Sequence, residues 1–380
     1  MAIDLRSDTL TLPTAEMRAA MVLAAVGDAA YGEDPIVSEL EEYCAALFGK
    51  DAAVFTCSGT MSNQIAVQTL TQPGDEVILD FYHHINYFEG AQTAKMAGVV
   101  LNTCVSERGI LTPDSISEAI KSKLRGDGYC KPKLLCLENS ISFFGGRVFP
   151  AELLRRVSDH ARSQGMAVYV DGARILNACV SSGVSPKDFA ASADLCSLCF
   201  AKGLGAPFGS VLVGDRPAIE VARKFRKWLG GNLHQSGIMA AAALFALRHH
   251  LPHFEADHAN AKLLTQLLGA SSSSGLQIWP AETNIVMFNI SSLSISAREF
   301  VSHAEQHGVR LVDWTNGWVR AVMHHPISRE QVMTAADVIQ STYQHFREGR
   351  EQARRSGWRK CDELNLHSSN PLREPMVLSR

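Results

Sequence analysis

What this sequence does not contain narrows its role before any motif is read. No uninterrupted apolar run reaches the ~18 residues that a membrane span requires. The N-terminus carries acidic and polar residues where a secretory signal would place a basic region and then an apolar one. Neither sign of charge dominates. The formal net charge of −3 and the pI near 6.5 give no global pull toward nucleic acid or an anionic membrane. The paired Cys-x-x-Cys spacing of a metal site is missing, and the nine cysteines are an odd number. Cys136, Cys196 and Cys199 fall inside apolar runs, as reduced core thiols in a reducing compartment do, so a disulfide framework is not expected. Internal repeats are absent too. The expectation is a cytoplasmic protein whose partner is a small molecule, with no metal, nucleic acid or membrane.

What is present is the composition of a soluble α/β protein. Of 380 residues, 46% are hydrophobic and 20% charged, enough for one large core and a smaller one. Short apolar runs (Ala53 to Thr56, Glu76 to Asp80, Lys133 to Leu137, Met166 to Val170, Ser210 to Val213) alternate with segments of helical period such as Ala151 to Gln164. That alternation predicts a mostly parallel sheet flanked by helices, its strands apolar on both faces because both are covered. After the alanine-rich stretch Ile238 to Leu247, a connecting helix from His249 to Asn260 leads to a second core built on Ile285 to Asn289 and Trp318 to Val322. The expected division is an N-terminal segment (1–25), a large domain (26–248), a smaller C-terminal α/β domain (249–348) and a loose tail (349–380) rich in arginine, serine and proline.

The residues that carry chemistry begin with Lys202, alone in the glycine-rich, otherwise uncharged stretch Phe200-Ala-Lys-Gly-Leu-Gly-Ala-Pro-Phe-Gly-Ser210. Desolvation disfavours an ammonium, and a neutral amine is the nucleophile that forms a Schiff base. About thirty residues earlier, Asp171 ends an apolar run and opens Asp171-Gly-Ala-Arg174. An aspartate so placed can hold a proton on a pyridine nitrogen, the pairing that pyridoxal phosphate (PLP) enzymes use. Read singly, Lys202 is a helix-capping or phosphate-binding lysine and Asp171 a turn residue.

Further elements follow in order along the chain. Ser58, Gly59 and Thr60 stand between a strand and a helical pattern, so backbone amides and a hydroxyl are offered to a phosphate; the same triplet also serves as an ordinary helix cap. His84, in Asp80-Phe-Tyr-His-His-Ile-Asn-Tyr-Phe-Glu89, is a ring able to lie on a flat cofactor, with a solvated loop or an adventitious metal site as the alternatives. Arg174 and Arg320 are candidates to fork a substrate carboxylate. Arg174 could instead touch the cofactor's phenolic oxygen or bridge domains. Arg320 lies in an apolar strand-like run, where an unpaired guanidinium is costly, so a buried anionic partner is expected.

From Ile3 to about Ala335 the chain resembles the low-specificity threonine aldolases, fold type I PLP enzymes related to the aromatic β-eliminating lyases. The resemblance rests on Asp4-Leu-Arg-Ser7-Asp8-Thr9, Tyr31-Gly-Glu-Asp-Pro35, Ser58-Gly-Thr60, His84 with Glu89, Leu137-Glu-Asn139, Asp171-Gly-Ala-Arg174, Lys202-Gly-Leu-Gly-Ala-Pro-Phe-Gly-Ser210, Arg226-Lys227, Gly230-Gly231, Gln235-Ser-Gly-Ile238 and Thr283-Asn284. It implies that Lys202 binds PLP covalently, Asp171 pairs with the pyridine nitrogen, His84 stacks on the ring and Ser58, Gly59 and Thr60 hold phosphate. Ser7, Arg174 and Arg320 would grip the substrate carboxylate. Lys227 would reach the active site of a partner subunit, giving a homodimer or homotetramer with sites at the interface.

The departures bear on the reaction. Where the family has Glu-Asn-Thr-His-Asn, this chain has Glu138-Asn-Ser-Ile-Ser-Phe143-Phe144, losing polar side chains and gaining aromatic bulk. The family histidine some eleven residues before that asparagine, which engages the substrate hydroxyl, has no counterpart in Gly128-Tyr-Cys130. An arginine of the Gly-Gly-Gly-Met-Arg-Gln motif is replaced by His234. Cleavage of a β-hydroxy amino acid of the threonine or allo-threonine type to glycine and an aldehyde is the leading reading. Alanine-type racemisation, or a specialised β-elimination or transaldolation, is the alternative.

Overall fold

The structure, a computed structural model, describes residues 2–270 and 276–365, with 352–365 described by backbone alone. Its centre is a seven-stranded sheet in the spatial order Ala52–Thr56, Ser210–Gly214, Leu195–Cys199, Ala167–Asp171, Pro132–Glu138, Glu76–Asp80, Val100–Cys104. The last five are mutually parallel, while Ser210–Gly214 runs antiparallel to both of its neighbours. The sheet is thus mostly parallel, with one reversed strand inserted near an edge.

Alternation along the strands divides two cores. Leu135, Leu137, Val168, Val170, Val211 and Val213 point to the face covered by helices Pro35–Phe48 and Gly237–His249. Their sequence neighbours Leu134, Cys136, Tyr169 and Leu212 point to the opposite face, beneath Gly59–Leu70 and Arg216–Trp228. Interior strands covered on both sides need no polar face, which is why these segments read as continuous apolar runs. The described cysteines are all unpaired, Cys196 and Cys199 buried among them.

A second core surrounds a four-stranded antiparallel sheet ordered Val312–Asp313, Trp318–Val322, Ile285–Asn289, Gln277–Ile278. Val286, Phe288, Val319 and Ala321 face helices Leu251–Ala270, Ala297–Gln306 and the long C-terminal helix. The N-terminal segment joins this unit: Ile3–Asp4 pairs in parallel with Val309–Arg310, and Leu5 O accepts the Val322 N–H at 2.8 Å. Ser7 and Asp8 are thereby carried from the small sheet toward the large one.

The tail departs from expectation. The C-terminal helix runs Arg329–Asn365, so 349–365 continue a helix where a loose tail was expected, and 366–380 lie outside the described residues. Its first turns are anchored by the buried Val332, Ala336 and Ile339, and no proline falls within Arg329–Asn365 to interrupt it. Among the described residues no helix is long and apolar enough to cross a membrane.

Candidate active site

The site lies at the carboxyl ends of the parallel strands, where the topology collects loop after loop. Asp171 is the last residue of its strand, in register with Glu138 at the end of the next. Lys202 follows the strand Leu195–Cys199, which pairs with the Asp171 strand. Two glycines shape the Lys202 loop. A side chain at Gly203 would collide with the ring of Phe254, and Gly205 has φ +77°, with its N–H donating to Lys202 O at 2.8 Å. The Lys202 side chain is half-buried, and its amine makes no hydrogen bond or ion pair among the described residues.

Asp171 is buried and held at both oxygens. Oδ1 accepts the Ala173 N–H at 3.0 Å and Oδ2 accepts from Asn63 Nδ2 at 3.0 Å. Asn63 belongs to the helix Gly59–Leu70, whose N-cap is Ser58, its Oγ accepting the Met61 N–H at 3.1 Å. The Gly59 and Thr60 amides precede the first intrahelical bond and have no acceptor among the described residues. Positive dipole and free donors coincide there, as an anion site requires.

His84 faces the same space. Its Nδ1 is 2.8 Å from Glu89 Oε1, and its backbone N–H donates to Glu138 Oε2 at 2.7 Å. Burial opposes protonation of the ring most strongly, but the Glu89 hydrogen bond with the charges of Asp171, Glu138 and Glu89 outweighs it and raises the pKa above the ordinary value. The adjacent His83 is turned away, Nε2 against Gly109 O at 2.9 Å, so the two histidines do not act as a pair. Among the described residues no group of three or more His, Cys, Asp and Glu side chains is placed to hold a metal ion.

Two arginines occupy the end nearest the small sheet, and they differ. Arg174 forks Asp8 with two bonds of 2.7 Å and donates to Ser142 Oγ at 3.0 Å. Both partners are buried, and although burial disfavours the Asp8 carboxylate, the charges of Arg174, Lys202 and Arg320 hold its pKa far below the usual range. Arg320 makes no ion pair among the described residues, and its Nη2 donates to Arg6 O at 3.5 Å. Its guanidinium lies over the Trp314 ring at 4.3 Å, its shielded Nε is unsatisfied, and burial with the Arg174 charge pushes it down to about 10. Ser7 stands beside Asp8, its Oγ accepting the Thr9 N–H at 3.2 Å.

Ser7, Ser58, Gly59, Thr60, His84, Asp171, Arg174, Lys202 and Arg320 therefore border one region. Lys227 does not enter it: it is exposed at the end of helix Arg216–Trp228. Gly128-Tyr-Cys130 also stands apart. It precedes the strand Pro132–Glu138 and is tied through Cys130 Sγ to Glu76, at the amino end of the sheet, so it does not border His84 within the chain. Three residues given no role from the sequence hold the site together: Asp8, which fixes Arg174; Glu89, which accepts from Thr60, Asn63, Gln64 and His84; and Asn63. Asp8 and Glu89 were visible within matching segments, but Arg174 lies 166 residues from Asp8, and of the Glu89 partners only His84 is near in sequence.

The beta-eliminating lyase family matches residues 4–292. Low-specificity L-threonine aldolase 1 of Arabidopsis thaliana is 37% identical over 334 residues, 87% of this chain and 93% of that protein. The low specificity L-threonine aldolase of Escherichia coli K12 is 35% identical over 335 residues, 88% of this chain and 97% of its own. Among solved structures, Leishmania major threonine aldolase superposes with a TM-score of 0.75 over 90% of this chain and 99% of that one, at 18% identity. The fold is that of the type I PLP-dependent enzymes. By sequence over most of its length, this chain belongs to the beta-eliminating lyase family and, within it, to the low-specificity threonine aldolases.

Proposed function

We propose that the chain is a PLP-dependent aldolase that splits the Cα–Cβ bond of threonine or allo-threonine, giving glycine and acetaldehyde. The observation that carries this reading is the unpartnered Lys202 amine at the strand ends, in the same region as the buried Asp171 and the helix N-terminus with free amides. Those groups fit PLP. The Gly59 and Thr60 amides with the Ser58 and Thr60 hydroxyls would hold the phosphate, Asp171 the pyridine nitrogen, His84 a ring face and Lys202 the aldehyde carbon. When bound, PLP supplies an electron sink for the pair released from the Cα–Cβ bond.

The chain's own residues supply position and proton transfer. A guanidinium has five N–H donors. Asp8 and Ser142 engage three on Arg174, leaving donors for a carboxylate beside Arg320 and the Ser7 hydroxyl. With Nδ1 committed to Glu89, His84 has Nε2 left for the β-hydroxyl proton. Racemisation is not favoured, since the relatives matched over nearly the whole chain are threonine aldolases.

The site is completed in our reading by a second copy, as a homodimer or homotetramer, with Lys227 reaching across. Leu12, Val22, Tyr31, Ile238 and Trp228 are exposed apolar side chains that such an interface would cover. A cytoplasmic location fits the unpaired cysteines. The test incubates the purified protein and PLP with threonine, allo-threonine and alanine in deuterated water. Glycine and acetaldehyde are expected; deuterated D-alanine without glycine would overturn the assignment.

A further inference from the structure

Helix Leu251–Ala270 turns one stripe into the protein: Phe254, Asp257, His258 and Ala261, at the i, i+3, i+4 and i+7 spacing of a buried face. Phe254 packs on Gly203, next to Lys202. His258 Nε2 lies 3.2 Å from Asn177 Nδ2, and the Asn177 N–H donates to Arg174 O at 3.0 Å, so the stripe backs the turn that carries Arg174. Asp257 is the member without a partner. It is 3% exposed, its Oδ2 is shielded and unsatisfied, and no cation pairs with it among the described residues. On its own helix, burial and the Lys262 charge push His258 down to about 4, so that ring is neutral near pH 7 and gives no counter-charge. From the N-terminal segment the Asp8 carboxylate acts on Asp257 with like sign, while the Arg174, Lys202 and Arg320 charges are spent on Asp8. Burial first, and Asp8 second, push the Asp257 carboxyl up to about 7.

We infer that Asp257 is a positioning residue that keeps its proton while the enzyme works, and that losing this proton weakens the grip on the substrate carboxylate. The inference rests on the reading above, in which the Arg174 and Arg320 end receives that carboxylate. Two guanidiniums there face one carboxylate, Asp8, which leaves a single positive charge for the single carboxylate of an amino acid. A protonated Asp257 preserves that balance. Once ionised, it adds a second negative charge on the Asp8 side, cancels the surplus and competes for the same arginines without a hydrogen bond to either. Its effect thus passes through Asp8 and the arginines, and no substrate bond is made or broken by it. The helix holds it in place from two sides, through Phe254 on the Lys202 loop and His258 on Asn177, so the charge cannot swing out to water without unpacking both.

The test uses Asp257→Asn, which keeps the shape of the side chain and is neutral at every pH. Glycine is titrated into the PLP-loaded wild type and variant, and Kd is read from the cofactor absorbance between about pH 6 and about pH 8.5, on either side of the Asp257 value. The wild-type Kd divided by the variant Kd should rise across that range by about three- to tenfold, the scale of one charge acting through several ångströms of protein. Glycinamide, which has no carboxylate, should give a ratio that stays level. Urea midpoints give a second measurement that does not depend on binding. A carboxyl whose folded value lies above its ordinary one makes the wild type lose stability relative to the variant as pH rises from the ordinary carboxyl range to the folded value. A level glycine ratio, a glycinamide ratio that rises in step with it, or midpoints that keep the same separation at every pH would overturn the role of Asp257 and leave the aldolase reading standing. Failure of glycine to bind the wild type at all would overturn the carboxylate site itself.

Discussion

Glu89 and Asp171, 82 residues apart in sequence, accept hydrogen bonds from the same nitrogen, Nδ2 of Asn63, each at 3.0 Å. One amide thus joins the carboxylate behind His84 to the carboxylate that faces the pyridine nitrogen in our reading. Its oxygen is occupied as well, accepting from Tyr169 Oη at 2.7 Å, and Tyr169 also reaches Ser197 Oγ at 2.9 Å. No member can shift without leaving another buried polar group short of a partner.

The Asn63→Ala variant should therefore weaken cofactor binding and stability together. Two carboxylates and a phenol each lose a partner, and an orphaned buried group costs about 1–3 kcal/mol. The expected outcome is a lower midpoint in urea and a larger Kd for PLP by fluorescence titration. A variant that loses stability while keeping PLP affinity would confine Asn63 to a scaffold role.

Replacing Lys202 should separate chemistry from folding. Its side chain makes no hydrogen bond among the described residues, and the loop is shaped by Gly203 against Phe254 and by the positive φ of Gly205. Lys202→Ala should abolish turnover while stability changes by no more than ~0.5 kcal/mol, as for substitutions away from structural contacts. Borohydride reduction of the loaded wild-type enzyme should fix the cofactor on the peptide bearing Lys202. A label on another lysine would remove this residue from the role.

His84 gives a pH dependence with a definite sign. Its folded-state pKa is raised because the Glu89 bond and neighbouring carboxylates outweigh burial. The stabilisation from that interaction is complete below the ordinary histidine value and is lost as pH rises through the higher folded value. A step that needs neutral His84 gains as pH rises through the same range. In Glu89→Gln the raising interaction is weakened while burial remains, so the pKa falls and the acid limb of kcat/KM against pH moves to lower pH. An acid limb that stays in place would assign it to another group.

Much of this architecture was legible because interior strands announce themselves. Glu76–Asp80, Ile285–Asn289 and Trp318–Val322 match their runs residue for residue, since their apolar residues Val77, Ile78, Leu79, Val286, Phe288, Val319 and Ala321 are fully buried. Lys202 and Asp171 were legible for the opposite reason, as charged residues in apolar surroundings. The roles of Asp8, Asn63 and Glu89 were not, because each is defined by partners that only the fold brings near. The helix through 349–365 was hidden by composition, arginine and serine reading as a tail although arginine is a good helix former.

Arg174 and Arg320 should respond oppositely when their charges are addressed. Arg174 is paired with the buried Asp8, and removing one partner of such a pair leaves an uncompensated charge at a cost of about 3–5 kcal/mol. Asp8→Asn should therefore lower the denaturation midpoint sharply. Because the Asp8 carboxyl is held far below its ordinary value, its contribution is fully present above about pH 4 and is lost as pH falls below that, a dependence the variant should lack. Arg320 has no anion to lose. Arg320→Met removes from the Trp314 face a guanidinium whose Nε is shielded and unsatisfied, so stability should hold or rise while the KM for the amino acid increases. A charged hydrogen bond is worth about 1.5–3 kcal/mol, so that increase should be on the order of tenfold to a hundredfold. Destabilisation by Arg320→Met comparable to that of Asp8→Asn would show that the guanidinium serves the fold and leave the substrate carboxylate to Ser7 and Arg174.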